Sequence, residues 1–148
     1  MINIYTDGSC LGNPGKGGWA FIIFNEHNEE LNRQSGSKRH TTNQRMELTA
    51  IIKALESINI KILKFIEITI NTDSQYCKNI ATKWINNWKQ NEWHTASGKP
   101  VKNIDLVKKL YKLIKLNDIK WNWVKGHSIN EKNNIVDSMA VEAAKKQL

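Results

Sequence analysis

The stretch INIYTDGSCLGNPGKGGWAFIIF, Ile2 to Phe24, decides the fold. Ile2 to Thr6 alternates and is rich in β-forming side chains, so it reads as a strand. It runs into Asp7-Gly8-Ser9 and then Gly12-Asn13-Pro14-Gly15-Lys16-Gly17-Gly18, a dense turn signal. Trp19 to Phe24 is a second strand, and a third is expected between Glu30 and Lys38. Outward from there, Thr41-Thr42 opens a helix reaching about Ser57, and Phe65 to Asn71 reads as a buried strand. Short helices cross Ser74 to Gln90, and Val101 to Leu116 is helical. Lys120 to Val124 is a strand, and a last helix starts near Asn133. The order β-β-β-α-β-α-α-α-β-α puts hairpins first and crossovers after, a mixed α/β pattern.

At 148 residues the chain suits one compact domain and is too short for two ordinary ones. With 40% hydrophobic and 24% charged residues it can bury a core, which argues against disorder. No apolar run approaches the roughly 20 residues of a membrane span. No basic stretch followed by an apolar run marks a secretory signal. Two cysteines, Cys10 and Cys77, make no disulfide framework and fit a reducing cytosol. Residues 1–75 hold 8 Lys/Arg and 8 Asp/Glu, whereas residues 76–148 hold 14 and 6, so the second half carries the whole net charge of +8. A polyanion partner is one reading of that asymmetry. Compositional drift is the other, given 19 Lys against 3 Arg.

Four carboxylates stand out. Asp7 and Asp73 each follow a strand directly, in Tyr5-Thr6-Asp7 and Asn71-Thr72-Asp73. If those strands are parallel neighbours joined by a right-handed crossover, both acids lie at one carboxyl edge, where open α/β sheets build sites. The competing reading makes each a turn or N-cap residue. Glu47 shares a helix face with Ile51, Ala54 and Ile58, where a carboxylate is costly unless paired, metal-bound or at the rim. Glu56 falls on the solvent side. Asp137 shares its face with Asn133, Ala140, Val141 and Ala144. Crowded carboxylates repel, and an all-oxygen set suits Mg²⁺ or Mn²⁺ rather than zinc. Two such ions are a known device for phosphodiester chemistry. His127, just past a strand in a polar loop, is either a proton carrier or an ordinary loop histidine.

Other signals fall away. Gly15 to Ala20 matches G-x-G-x-x-A, but a strand follows where the dinucleotide motif needs a helix. The histidines and cysteines lack zinc spacing. Trp84, Trp88 and Trp93 stand at helical spacing, which favours core over base stacking, and Trp121 and Trp123 share a strand face that also reads as core.

The blocks Tyr5-Thr6-Asp7-Gly8-Ser9 through Gly15, Thr41-Thr42-Asn43-Gln44-Arg45-Met46-Glu47-Leu48, Thr72-Asp73-Ser74-Gln75-Tyr76, Trp121 through His127 and Asp137-Ser138-Met139-Ala140 closely resemble bacterial ribonuclease HI. They occur in family order and cover nearly the whole chain. The resemblance implies the RNase H-like fold, a five-stranded mixed sheet flanked by helices, with residues 1–148 forming a single catalytic domain. It implies a Mg²⁺-dependent endonuclease that cuts the RNA strand of RNA/DNA hybrids with little sequence specificity, leaving 5′-phosphate and 3′-hydroxyl ends. By the same resemblance Asp7, Glu47, Asp73 and Asp137 are the metal-binding carboxylates of a two-ion site in which Mn²⁺ can substitute, and His127 is a mobile proton-transfer residue.

Asn13, Asn43 and Gln75 match positions that touch the minor groove of the hybrid, and Thr42 matches a DNA-phosphate contact. The stretch from Trp84 to Asn103, including Lys99, matches the basic protrusion that grips the DNA strand. A cytoplasmic monomer is expected, with no membrane, obligate protein partner or separate hybrid-binding domain. Three departures stand out: Gln44 replaces a common Asn, Lys89-Gln90-Asn91-Glu92-Trp93 is less basic than in many relatives, and the 128–138 segment has unusual wording. The second predicts weaker hybrid binding through the protrusion. A binding module without catalysis and a different nuclease of the same fold are the alternatives, and the four acids and the substrate-contact motifs argue against them.

Overall fold

A computed structural model of the chain describes residues 1–59, 67–124 and 130–148. Five strands, β1 (Ile2–Leu11), β2 (Gly15–Asn25), β3 (Glu30–Thr41), β4 (Glu67–Thr72) and β5 (Asp118–Trp123), form one sheet in the order β3-β2-β1-β4-β5. β1 pairs antiparallel with β2, and β2 with β3; β1–β4 and β4–β5 are parallel. The mixed sheet expected from the sequence is therefore present, with β1 at its centre. The helices are α1 (Asn43–Asn59), α2 (Gln75–Asn79), α3 (Ile85–Gln90), α4 (Ile104–Leu116) and α5 (Glu131–Lys146). A π-type turn, Ile80–Trp84, joins α2 to α3.

Helices on both faces explain the apolar run in β2. Phe21 and Ile23 point to the layer of Leu48, Ile51 and Leu55 from α1. Ala20, Ile22 and Phe24 point the other way, onto Val136 and Ala140 of α5. A strand covered on both sides loses the alternation of a half-wet strand. On α1, Ile51, Ala54 and Ile58 are buried and Glu56 is exposed, as the helical spacing predicts.

The structure departs from the sequence expectation along the first hairpin and at Trp123: β1 does not stop at Thr6 but runs on through Asp7, Gly8 and Ser9 to Leu11 because β2 continues to pair with it. Gly15 to Gly18 were expected in a turn, but they open β2, with Lys16 to Gly18 opposite Leu11 to Ser9 of β1 and Gly15 opposite Thr41 of β3. Their smallness serves packing: a Cβ at Gly18 would collide with the Ala140 carbonyl oxygen and the Ala144 amide of α5. The turn itself is short, with a cis Asn13–Pro14 peptide. Trp123, expected in the core, is 38% exposed, while Trp121 packs against the core.

Candidate active site

Register brings two of the acids to one edge. The parallel β1–β4 ladder ends with Thr6 opposite Thr72, so Asp7 and Asp73 each stand one residue beyond it. The Trp123 indole donates to the Asp73 carbonyl oxygen at 3.0 Å, and the Val124 amide to the Thr72 carbonyl at 2.8 Å. Those bonds tie the start of the turn after β4 to the end of β5. Strand alternation sends Asp7 toward α5, on the face shared with its partner Ala20, and there it hydrogen-bonds the carboxyl of Asp137.

Glu47 comes from the opposite face. Its approach depends on Gly8, where a Cβ would run into the Glu47 amide and the Met46 carbonyl carbon. Without that Cβ the first turns of α1 lie directly against β1. The Ser74 hydroxyl then donates to Glu47 Oε2 at 2.7 Å, while its oxygen accepts from the Cys77 amide at 3.1 Å and caps α2.

Crowding and burial oppose ionisation here. Asp7 is 5% exposed, and its pKa is pushed up to about 10. Burial is the largest cause, followed by the hydrogen bond to Asp137 and then by the charges of Asp73 and Asp137; the Gly8 amide, at 2.9 Å, pulls the other way. A hydrogen bond between two carboxyl groups needs a proton on one of them. Burial lifts Glu47 to about 7, and Asp73 adds to the rise while the Ser74 hydroxyl opposes it.

None of the described ion pairs places a Lys or Arg against Asp7 or Glu47. Hard oxygen donors under mutual repulsion fit a divalent cation such as Mg²⁺. Among the described residues, no group of three or more His, Cys, Asp or Glu side chains is drawn tightly enough to hold an ion unaided. Mg²⁺ characteristically takes one or two carboxylates and completes its shell with water and substrate phosphate, so the donor set still fits.

The Asn13 side-chain oxygen accepts from the Asn43 amide at 3.2 Å, tying the β1–β2 turn to the head of α1. Thr42 Oγ1 accepts from the Arg45 amide at 3.3 Å. Asn13, Thr42 and Asn43 are thus brought together, one turn of helix from Glu47. Gln75 is exposed at the start of α2, next to Ser74. Trp84 is 38% exposed and lies 5.7 Å from Trp88, ring centre to ring centre. With Asn87, Asn91, His94 and Ala96 the pair lines a groove of about 340 Å³. Trp84 therefore departs from the core reading, whereas Trp88 and Trp93 do pack against the core. Lys99 is exposed in the loop before α4. His127 lies outside the described residues. Gly8 and Ser74 were missed as supports of the site; neither ionises, and only their partners in space reveal the role.

The sequence model of the family described as RNase H matches residues 1–145. A ribonuclease H of Pseudoalteromonas atlantica is 50% identical over 144 residues, covering 97% of this chain and 90% of the relative. One from Treponema denticola is 46% identical over 158 residues, covering 99% of each. Among solved structures, LC9-RNase H1 superposes with a TM-score of 0.87 at 29% identity, over 99% of this chain and 73% of that one. LC11-RNase H1, solved with an RNA/DNA hybrid, shares the fold with a TM-score of 0.76 at 24% identity, over 99% of this chain and 98% of that one.

Proposed function

The chain belongs to the ribonuclease H family and is a hydrolase of that kind, and on that premise we propose that it cuts the RNA strand of RNA/DNA hybrids at the edge where the β1–β4 ladder ends. The observation that carries this reading is the group of linked acids there, Asp7 with Asp137 and Asp73, and Glu47 with Asp73, within a chain of net charge +8. Asp7, Glu47, Asp73 and Asp137 would hold two Mg²⁺ ions, with Mn²⁺ able to substitute. Bound there, the ions would supply Lewis-acid stabilisation of charge building on the phosphate.

The protein's own groups do the rest. Asn13, Asn43 and Gln75 carry amides that can donate to or accept from a 2′-hydroxyl, which distinguishes the RNA strand from DNA. Thr42 and Lys99 contact DNA-strand phosphates, and Trp84 lies against that strand. A water attacks phosphorus and releases a proton to solvent, the bond from phosphorus to the 3′ oxygen breaks, and His127 delivers a proton to the departing oxygen and regains one from solvent. The products carry 5′-phosphate and 3′-hydroxyl ends. Residues 1–148 act as one catalytic domain, a monomer in the cytoplasm. No helix among the described residues is long and apolar enough to cross a membrane.

The test is cleavage of a labelled hybrid with Mg²⁺, beside single-stranded RNA, double-stranded RNA and a DNA duplex, with Asp73→Asn in parallel. Cutting confined to the RNA strand of the hybrid, and lost in Asp73→Asn, is the expected result. Activity surviving in the variant would refute the site assignment. Hybrid binding with no cutting under Mg²⁺ or Mn²⁺ would favour a binding module.

A further inference from the structure

Asn103 occupies the N-cap position of α4, where an asparagine ordinarily turns its side chain back to the free amides of its own helix. Here it makes no such cap, and its backbone sits in the left-handed region at φ 58°. Its side chain is directed outward instead. Asn103 Oδ1 accepts from Arg45 Nη1 at 3.3 Å, and Asn103 Nδ2 donates to the Tyr76 hydroxyl at 2.9 Å. The same guanidinium grips Asp105 with both nitrogens, at 3.0 and 2.6 Å. One arginine thereby joins α1, two residues before Glu47, to the first turn of α4 and, through Asn103, to α2 next to Gln75. A residue that gives up its local preference and adopts an uncommon backbone geometry is over-determined by its surroundings.

Stability alone is a weak explanation for the pair. Asp105 is 60% exposed at its side chain, and ion pairs in water contribute little. What a two-pronged Arg–carboxylate contact adds is direction, because the planar fork fixes both partners in one relative orientation. One of the elements so fixed, α1, carries Glu47 of the acidic edge, and another, α2, is capped by the Ser74 that bonds that carboxylate. At the head of α1 are Asn13, Thr42 and Asn43, and the head of α4 is entered from the 91–103 loop with Lys99, which leads straight into Asn103.

We propose that Arg45 and Asp105 are positioning residues that lock the head of α1 to the head of α4, holding the minor-groove contacts and the DNA-strand grip at the spacing a hybrid duplex requires. This rests on the reading of the site as a hybrid nuclease. Its signature is a loss in substrate engagement with chemistry intact, since neither side chain is among the groups assigned to the reacting phosphate.

The experiment compares wild type, Arg45→Lys, Asp105→Asn and the double variant on a labelled hybrid, reading kcat, KM and cut positions, with thermal unfolding alongside. Arg45→Lys keeps the charge and removes the fork. We expect each single variant to raise KM about fivefold with kcat within about twofold, and the double variant to be no worse than the poorer single. Broadened cut positions are expected with the raised KM. Wild-type KM and cut pattern in both single variants would overturn the proposal, as would a fall in kcat that tracks the loss of Tm. If wild type cleaves no hybrid, the functional reading fails; if wild type cleaves and the variants match it, only the positioning role fails.

Discussion

A methyl group at Gly8 would meet the Met46 carbonyl carbon and the Glu47 amide nitrogen, main-chain atoms of α1 that cannot rotate aside. Gly8→Ala must therefore push α1 away from β1 and carry Glu47 with it. The expected cost is about 1–3 kcal/mol of stability from overpacking. The rate cost is larger, about 100-fold in kcat, because small misplacements of a positioned group are expensive. Chemical denaturation and hybrid kinetics on the same preparation check both; an active Gly8→Ala would show that Glu47 needs no such fit. Ser74 acts on the same carboxylate through its proton. Its hydroxyl favours the ionised form of Glu47 and restrains a rise that already reaches about 7. Ser74→Ala removes that restraint, so Glu47 holds its proton to higher pH. The acid limb of the kcat/KM profile is expected to move to higher pH, with the plateau less affected. An unmoved limb would mean that ionisation of Glu47 does not limit the reaction.

At the scale of elements, legibility followed the kind of interaction. The β1–β4 edge could be read because the same local setting, Thr-Asp closing a β-forming run, occurs on two strands joined through a helix; β1 itself runs on past Asp7, and only its pairing with β4 stops at Thr6. The faces of α1 and α5 could be read because 3.6-residue spacing is a local property. Gly15 to Gly18 were misread because glycine serves two needs, turning and close packing, and only the approach of α5 to Gly18 selects the second. Trp123 was misread because β5 is an edge strand next to β4, and its face beyond the core is open. The Arg45–Asp105–Asn103 contacts, spanning some 60 positions, left no signal in spacing. The segment from Trp84 to Lys99 carries its own prediction. If Lys99 neutralises one DNA phosphate, Lys99→Ala should weaken binding to all hybrids alike and lower the slope of log K against log salt by about 1. A salt titration of hybrid affinity checks it, and an unchanged slope would remove Lys99 from the interface.

Across the whole molecule, charge is divided by function: cations dominate the second half of the chain, while the acids most resistant to ionisation gather where the β1–β4 ladder ends. That division costs stability when no cation is bound. A carboxylate whose pKa is raised on folding contributes stability that is complete below its unfolded value and lost as pH rises through its folded value. Glu47 rises from 4.5 to about 7, and Asp7 from 3.8 to about 10. The metal-free protein should therefore lose stability steadily from pH 5 to pH 8, by several kcal/mol, with Asp7 contributing across the whole window and Glu47 mainly below pH 7. Asp7→Asn removes the largest contributor, so it should flatten the decline and raise Tm at pH 8 in chelator while abolishing cleavage. A divalent cation competes with the protons and stabilises the form that the site otherwise resists. Saturating Mg²⁺ should accordingly restore more Tm at pH 8 than at pH 5 in the wild type, and little at either pH in Asp7→Asn. Thermal unfolding with and without chelator at the two pH values decides it. A decline of equal size in Asp7→Asn would place its origin elsewhere in this basic chain, and a Mg²⁺ effect independent of pH would mean that the cation does not take the place of the proton on these acids.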